Sequence, residues 1–175
     1  MTCIVAIKTK DAIFMGGDSA GGNAYGIQSR SDPKVFRSGG FVIGYTTSYR
    51  MGQILQHGFE FVTPEGDPDA YMFSLCNAVA SKLTDLNYAK LENNVIDGGT
   101  FLIGWKNHLY AVYDNFQYAR FRDNYAAIGS GEEYALGSLF STQSIDDPIK
   151  RITIALDAAT KFSSLVAKPY IFEHT

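Results

Sequence analysis

Residues that build metal sites and disulfide scaffolds are scarce in this sequence. Only two cysteines, Cys3 and Cys76, occur among the 175 residues, and the three histidines stand apart from one another and from both cysteines. A zinc site needs Cys and His ligands at short, regular spacings, and a disulfide scaffold needs several cysteine pairs. We therefore expect neither, and no motif indicates a bound cofactor.

The chain also lacks a strong charge of one sign and a long apolar run. Its 15 lysines and arginines are scattered and stand against 18 aspartates and glutamates, a net charge of −3. Such a surface has no basic patch to hold a phosphate backbone, so nucleic acid is not an expected partner. No apolar run approaches the roughly 20 residues of a membrane span, and the N-terminus lacks the features of a signal peptide. We expect a cytoplasmic protein without a membrane partner.

What the sequence does contain is enough apolar material for one core. Hydrophobic residues make up 46% of the chain and charged residues 19%. A chain of this length and composition fits one compact domain. We therefore expect residues 1–175 to form a single domain.

The first 45 residues have the pattern of β-strands. Residues 2–7 are rich in β-branched side chains and residues 12–15 are apolar, which predicts a hairpin. The small residues at 16–22 allow backbones to approach closely. Two more strands, at 34–37 and 41–45, are predicted from their alternating apolar residues.

In the rest of the chain, two predicted pairs of helices flank a second block of strands. Helical spacing begins near Ser48, and Asp67 stands as an N-cap before Pro68 and a long apolar stripe. A second block of strands spans residues 100–128, a third helix is predicted to open at residues 129–133, and a fourth follows Asp147. Strands, two helices, strands and two helices predict an α+β fold in which two sheets pack face to face between helices, a four-layer αββα sandwich.

Thr2 is a candidate nucleophile because removal of Met1 would give it a free α-amine. That amine, with a pKa of about 7.7–8.0, can act as the base that activates the adjacent hydroxyl. Such a site also needs a cation near the amine and a carboxylate to hold that cation. Asp18 and Lys34 lie where the predicted strands would bring them to the same sheet end as Thr2.

Each of these residues also has a purely structural interpretation. Asp18 stands in a glycine-rich segment where Asp favours turns, and Lys34 has the position of a solvated charge at a strand edge. Ser130 precedes Glu133 at the spacing of a capping box, which predicts that Ser130 caps the third helix. The residues alone do not decide between these interpretations.

The spacing of these residues, and the segments around them, resemble the proteasome β-subunit and HslV family of N-terminal nucleophile (Ntn) hydrolases. Asp18, Lys34 and Ser130 follow Thr2 by 16, 32 and 128 residues, the separations found in that family. The similarity runs from Thr2 to about Val166 and is closest to HslV-like bacterial members. Three segments carry it: Thr2-Cys3-Ile4-Val5-Ala6, Gly16-Gly17-Asp18-Ser19, and Ala127-Ile128-Gly129-Ser130-Gly131 with Tyr134-Ala135-Leu136.

The resemblance implies the αββα sandwich and a threonine peptidase. Thr2 would be the nucleophile and its amine the base, Lys34 would tune that amine, Asp18 would hold Lys34, and Ser130 would support the amine by hydrogen bonding. The resemblance also implies a peptide or unfolded-protein substrate and a homo-oligomeric ring or shell. Any ATP use would belong to a separate unfoldase, because the chain has no phosphate-binding loop.

Two departures bear on activity. Where the family has an Ala-Gly-Gly-like run, this chain has residues 46–48, so the amide of Thr47 would donate to the oxyanion while its side chain narrows the cleft. Where the family has an Asp followed by a Ser three residues later, this chain has Lys161 and Ser164. Lys161 would lower the amine pKa, disrupt the site, or point to solvent with the alignment shifted.

Two other functions remain open at this level. One is a catalytically silent, proteasome-like assembly or scaffold protein, because the fold does not require the chemistry. The other is a small-molecule amidase that uses the same N-terminal threonine on a soluble substrate.

Overall fold

The computed structural model describes residues 2–23, 26–63, 65–92 and 95–175. Met1, which is predicted to be removed, lies outside the described residues. The helices are α1 (Tyr49–Gln53), which continues as a π-helical turn (Ile54–Gly58), α2 (Pro68–Asp85), α3 (Glu132–Ser141) and α4 (Pro148–Phe162). The strands are β1 (Cys3–Lys8), β2 (Ile13–Gly17), β3 (Ala20–Asn23), β4 (Gly26–Ser29), β5 (Val35–Ser38), β6 (Phe41–Tyr45), β7 (Lys90–Glu92), β8 (Val95–Asp97), β9 (Phe101–Trp105), β10 (His108–Val112), β11 (Tyr118–Arg120), β12 (Tyr125–Gly129) and β13 (Ile171–His174).

Two antiparallel sheets form the centre of the molecule. One has the strand order β12-β1-β2-β13 and the other β11-β10-β9-β6-β5. Successive side chains of a strand point to opposite faces, so the residues of β1 pack alternately on the two sides of its sheet. Ile4 and Ala6 pack into the cluster between the sheets, whereas Cys3, Val5 and Ile7 pack into a second cluster beneath the helices.

Helices cover the outer face of each sheet. The cluster under α3 and α4 includes Ala135, Leu139, Ile152 and Leu156, which pack on the outer side of β1 and β12. The cluster under α1 and α2 joins residues of those helices to β6, β9 and β10. The four layers are therefore helices, sheet, sheet and helices, which confirms the predicted αββα sandwich.

The predicted elements are largely confirmed. The Asp67 side chain accepts hydrogen bonds from the N–H groups of Asp69 and Ala70, as an N-cap does. The helix predicted from Ser48 also exists, and Ser48 is its N-cap, although α1 passes into a π-helical turn after five residues. Within the described part of the chain, no helix has the length and apolar character needed to cross a membrane.

Three pairings were missed at the sequence level: the β3–β4 hairpin, the β7–β8 hairpin and the strand β13 beside β2. Gly21, Gly22 and Gly26 give the first hairpin no alternating apolar pattern, and its residues at 26–29 are all exposed. Periodicity reports burial of one face, so strands without a buried face escape it.

Candidate active site

Thr2 lies at the head of the central strand β1 and is buried. Only 3% of the residue is exposed. The Thr2 N–H donates to Ser130 Oγ at 3.0 Å, and the Ser130 hydroxyl lies 3.2 Å from the Thr2 carbonyl oxygen, to which it can donate. The Gly131 N–H donates to the same carbonyl at 3.3 Å. These contacts fix the backbone of Thr2 from the side of β12 and α3.

Ser130 does not cap α3, so the predicted capping box is wrong. The N-cap of α3 is Gly131, and no side-chain hydrogen bond caps the helix there. Gly129 has a positive φ of 98°, and a Cβ at that position would collide with the Thr2 carbonyl oxygen. The glycine lets the chain turn tightly against β1, which places the Ser130 hydroxyl on Thr2 instead of on the first turn of the helix.

Asp18 and Lys34 form a buried ion pair. Lys34 Nζ lies 2.9 Å from Asp18 Oδ1, and the two side chains are 2% and 0% exposed. The Asp18 carboxylate also accepts hydrogen bonds from the N–H groups of Cys3 at 2.9 Å, Ala20 at 2.9 Å and Ala167 at 3.3 Å. A buried carboxylate with four donors is well compensated for its loss of water.

Burial lowers the pKa of Lys34, although the neighbouring Asp18 carboxylate opposes that shift. The amide of Cys3, which directly follows Thr2, donates to the oxygen that also binds Lys34. Asp18 is therefore a direct link between the Lys34 ammonium and the backbone beside Thr2. The structure brings Thr2, Asp18, Lys34 and Ser130 together at one end of the first sheet.

An open cleft of about 660 Å³ begins at Thr2 and Lys34. The β3–β4 hairpin supplies one wall, and the segment that joins β6 to α1 supplies the other. Thr2, Ala20, Gly21, Gly22, Gly26, Ile27, Gln28, Arg30, Lys34, Tyr45, Thr46, Thr47, Ser48 and Tyr49 line it. Among the described residues, no group of three His, Cys, Asp or Glu side chains is placed to hold a metal ion.

Thr47 lines this cleft in a strained conformation. Its φ is 68°, a left-handed value that is unusual for a β-branched residue. Gly99 faces it, and a Cβ on Gly99 would lie 3.2 Å from both Cβ and Oγ1 of Thr47. The hydroxyls of Thr46 and Thr47 lie 3.2 Å apart. The Thr47 N–H has no hydrogen-bond acceptor within the described part of the chain.

Lys161 and Ser164 lie in and just after the last turn of α4. Both are exposed, and neither lines the cleft. Their predicted support of the Thr2 amine stays a prediction. The same segment does reach the site through Ala167, whose N–H binds Asp18 and whose carbonyl accepts from the Ser19 N–H at 3.0 Å. Sequence reasoning missed Ala167 because a backbone group leaves no residue-type signal.

Cys3 is a core residue, as its place on the first strand indicated. Burial, and after it the Asp18 charge, raises the pKa of its thiol to about 12. A thiol that stays protonated at neutral pH is a poor nucleophile. Cys3 therefore does not compete with Thr2 for that role.

Arg30 and Tyr49 were not identified from the sequence, although both line the cleft. The Arg30 guanidinium carbon lies 3.9 Å from the centre of the Tyr49 ring. The Tyr49 hydroxyl donates to the Ala20 carbonyl at 3.3 Å, and burial raises the pKa of Tyr49 to about 12. Tyr49 is therefore neutral at physiological pH. No short motif marks these residues, because they meet only in the folded chain.

No family model matches the sequence, and no curated protein sequence matches it. Solved structures do match. BPH from Thiobacillus denitrificans has a TM-score of 0.86 and 20% identity over 99% of this chain and 97% of that chain. A structure of the same protein in complex with epoxomicin has a TM-score of 0.85, with the same identity and coverage.

Two further structures extend the comparison. Eukaryotic HslV from Trypanosoma brucei has a TM-score of 0.71 and 16% identity over 98% of each chain. An Anbu mutant from Hyphomicrobium sp. strain MC1 has a TM-score of 0.69 and 14% identity over 98% of this chain and 80% of that chain. The resemblance stated from the sequence is thereby confirmed for the fold, which is that of proteasome-like Ntn hydrolases.

Proposed function

We propose that this chain is a threonine peptidase of the proteasome and HslV type, whose nucleophile is Thr2 after removal of Met1. The observation that carries the proposal is the fully buried Lys34–Asp18 pair, which shares Asp18 Oδ1 with the amide next to Thr2. Burial of a lysine costs free energy, and such perturbed groups cluster at functional sites. A role in lowering the pKa of the neighbouring Thr2 amine would account for it. The substrate would be a peptide or an unfolded protein in the cleft.

Each residue of the site has a role in this proposal. The Thr2 hydroxyl is the nucleophile, and the Thr2 amine is its base once Met1 is gone. Lys34 favours the neutral, proton-accepting form of the amine by charge repulsion, and Asp18 holds Lys34 in place. Ser130 Oγ, 3.0 Å from the Thr2 nitrogen, orients the amine. The Thr47 N–H donates to the oxyanion.

The reaction follows from these roles. The amine accepts the hydroxyl proton as the Thr2 oxygen attacks the scissile carbonyl carbon, and the oxyanion forms. The amine then returns that proton to the leaving nitrogen as the amide bond breaks, which leaves an ester on Thr2. Water hydrolyses the ester by the same route and restores the hydroxyl.

Intact-mass spectrometry with epoxomicin tests the proposal. Protein purified from a bacterial cytoplasm should have lost Met1 and should gain the mass of one inhibitor molecule. Thr2→Ala should lose Met1 too but gain no adduct. Ser144→Ala, at an exposed residue that does not line the cleft, should gain the adduct like the parent chain. Retention of Met1 in all molecules, or an adduct that persists in Thr2→Ala, would overturn the assignment.

A catalytically silent assembly protein is the second candidate. The observation that favours it is Thr47, a β-branched residue at φ 68° where the resemblance implies glycine. Its side chain occupies part of the cleft along which a substrate would lie. The mass experiment separates the two candidates, because the silent protein would give no epoxomicin adduct.

The proposal includes assembly and a partner. The chain would form a homo-oligomeric ring or shell in the cytoplasm and receive unfolded substrate from a separate ATP-dependent unfoldase. Light scattering coupled to size exclusion should give a mass of several chains, and a monomer at micromolar concentration would contradict the ring. A ring that encloses its clefts would also argue against the small-molecule amidase.

A further inference from the structure

The charged side chains that line the cleft are all cations. Among the described lining residues these are Arg30 and Lys34, and none is a carboxylate. The acidic partners of both stand outside the lining: Asp18 is fully buried behind Lys34, and Asp32 pairs with Arg30. A ligand in the cleft therefore meets cationic side chains among the described lining residues, and the exposed carboxylate of Asp32 is paired with Arg30.

Of these two cations, Arg30 is the one available to a ligand. The Lys34 side chain is 2% exposed and is held by Asp18, whereas the Arg30 side chain is 42% exposed. Lys34 Nζ also lies 5.7 Å from the centre of the Tyr49 ring, over which Arg30 stacks. The Tyr49 ring therefore contacts Arg30 and lies near Lys34 of the ion pair beside Thr2.

The structure holds Arg30 in place from three directions. Its aliphatic stem lies over Gly21, where a Cβ would collide with Arg30 Cδ, and its guanidinium lies 3.9 Å from the centre of the Tyr49 ring. Asp32 Oδ2 accepts from Arg30 Nε at 2.8 Å and also from Nη2. A guanidinium fixed in this way loses little conformational freedom when a ligand binds.

Arg30 still has donors to offer. Both contacts to Asp32 use a single carboxylate oxygen and leave the two N–H groups of Nη1 unused. No described residue accepts a hydrogen bond from Nη1. A carboxylate is the side-chain group that suits this donor, because a charge-assisted N–H···O bond is about twice as strong as a neutral one.

We propose that Arg30 is a specificity-determining residue, and that the cleft selects peptides with an aspartate or glutamate side chain near the scissile bond. The inference rests on the proposed function only in taking the cleft as a peptide site. The substrate carboxylate binds Nη1 of Arg30 while Asp32 keeps Nε and Nη2. Because Asp32 cancels part of the positive charge, it weakens the selection.

Binding to Thr2→Ala tests the inference without chemistry. Fluorescein-labelled hexapeptides with glutamate at each successive position are compared by anisotropy with the same peptides carrying glutamine. We expect one position at which glutamate binds about tenfold more tightly than glutamine, the ratio for one charge-assisted hydrogen bond. Arg30→Gln in the Thr2→Ala background should reduce that ratio to about one.

Two further variants distinguish a specific effect of Arg30 from a general loss of structure or of charge. Asp32→Asn removes the competing carboxylate but keeps the stack on Tyr49, so the ratio of glutamate to glutamine affinity should rise several-fold. Arg37→Gln makes the same charge change as Arg30→Gln at an exposed residue of β5 that does not line the cleft. It should leave the ratio unchanged.

The outcomes separate this inference from the proposed function. A glutamate preference in Thr2→Ala that responds to Arg30 and Asp32 supports the inference even if Thr2 forms no adduct with epoxomicin. Adduct formation together with equal binding of glutamate and glutamine peptides overturns the inference and leaves the peptidase standing. A preference for lysine that Asp32→Asn abolishes would also overturn it, because Asp32 would then be the selecting group.

Discussion

Two ion pairs lie beside the same cleft in opposite environments. Lys34 and Asp18 are almost completely buried, whereas Arg30 and Asp32 each expose 42% of their side chains. Three backbone N–H groups complete the hydrogen bonding of Asp18. That of Ala20 is local, whereas those of Cys3 and Ala167 come from 15 and 149 residues away along the chain. The buried pair thus holds strands and loops together, while the exposed pair lies on a wall of the cleft that is open to solvent.

This contrast predicts very different costs when one partner is removed. Lys34→Met leaves the Asp18 carboxylate buried without its cation, and loss of one partner of a buried pair costs about 3–5 kcal/mol. Urea unfolding should show this loss at pH 7. The double variant Lys34→Met with Asp18→Asn should recover part of it, because no charge then remains buried. An equal loss in the single and double variants would contradict the account.

The Cys3 thiol, beside the buried pair, should make the stability of the fold depend on pH. The pKa of Cys3 rises from 9.0 to about 12 on folding, so the folded state keeps a proton that the unfolded chain releases. The stabilisation is complete below pH 9 and is lost as pH rises toward 12, at about 1.4 kcal/mol per pH unit. Cys3→Ala should reduce this decline between pH 9 and 10.

The effect of the thiol is isolated by comparing how steeply the free energy of unfolding changes with pH in the two proteins. Cys3→Ala also changes packing, which shifts the free energy of unfolding by a constant amount at every pH. Urea titrations of the parent chain and the variant from pH 7.5 to 10 separate the two effects. Parallel curves across that range would show that the Cys3 thiol does not stay protonated in the folded chain.

On the open wall, Thr47 should respond in the opposite direction from Lys34. A left-handed conformation costs an L-residue about 1–2 kcal/mol, and glycine avoids this cost but loses about 0.4–1 kcal/mol through the unfolded state. Thr47→Gly should therefore stabilise the chain by up to about 1 kcal/mol. Thr47→Ala keeps the strained φ and should give no such gain. A destabilised Thr47→Gly would mean that the contacts with Thr46 and Gly99 outweigh the strain.

The buried side of the cleft is also the part that the sequence predicted best. The strands and the αββα order were predicted from apolar patterns, which arise where one face of an element is buried. The spacing of Thr2, Asp18, Lys34 and Ser130 could be recognised because these residues lie at the ends of those strands. The hydrogen bond between Ser130 and Thr2 was anticipated through the resemblance, while the capping role inferred from Ser130 and Glu133 was wrong. Local spacing does not report the turn that Gly129 makes against β1.

The open wall was the hardest part to predict, for physical reasons. The β3–β4 hairpin is rich in glycine and buries little, so neither propensity nor periodicity identifies it. Arg30 reaches Tyr49 because Gly21 leaves room for its stem, a three-body arrangement without any fixed spacing along the chain. The amide of Ala167 at Asp18 is a backbone contact, which residue identity does not encode.

Removal of the exposed carboxylate should cost much less stability than removal of the buried one. Asp32→Asn removes the carboxylate from an exposed pair, and such pairs contribute about 0.2–1 kcal/mol. Arg30 keeps its contact with the Tyr49 ring, so the free energy of unfolding should fall by no more than about 0.5 kcal/mol. Asp18→Asn is the matched substitution at the buried pair and should cost several times more in the same urea titration. Equal costs would mean that Asp32 contributes as much to the stability of the fold as Asp18, and that burial does not distinguish the two ion pairs.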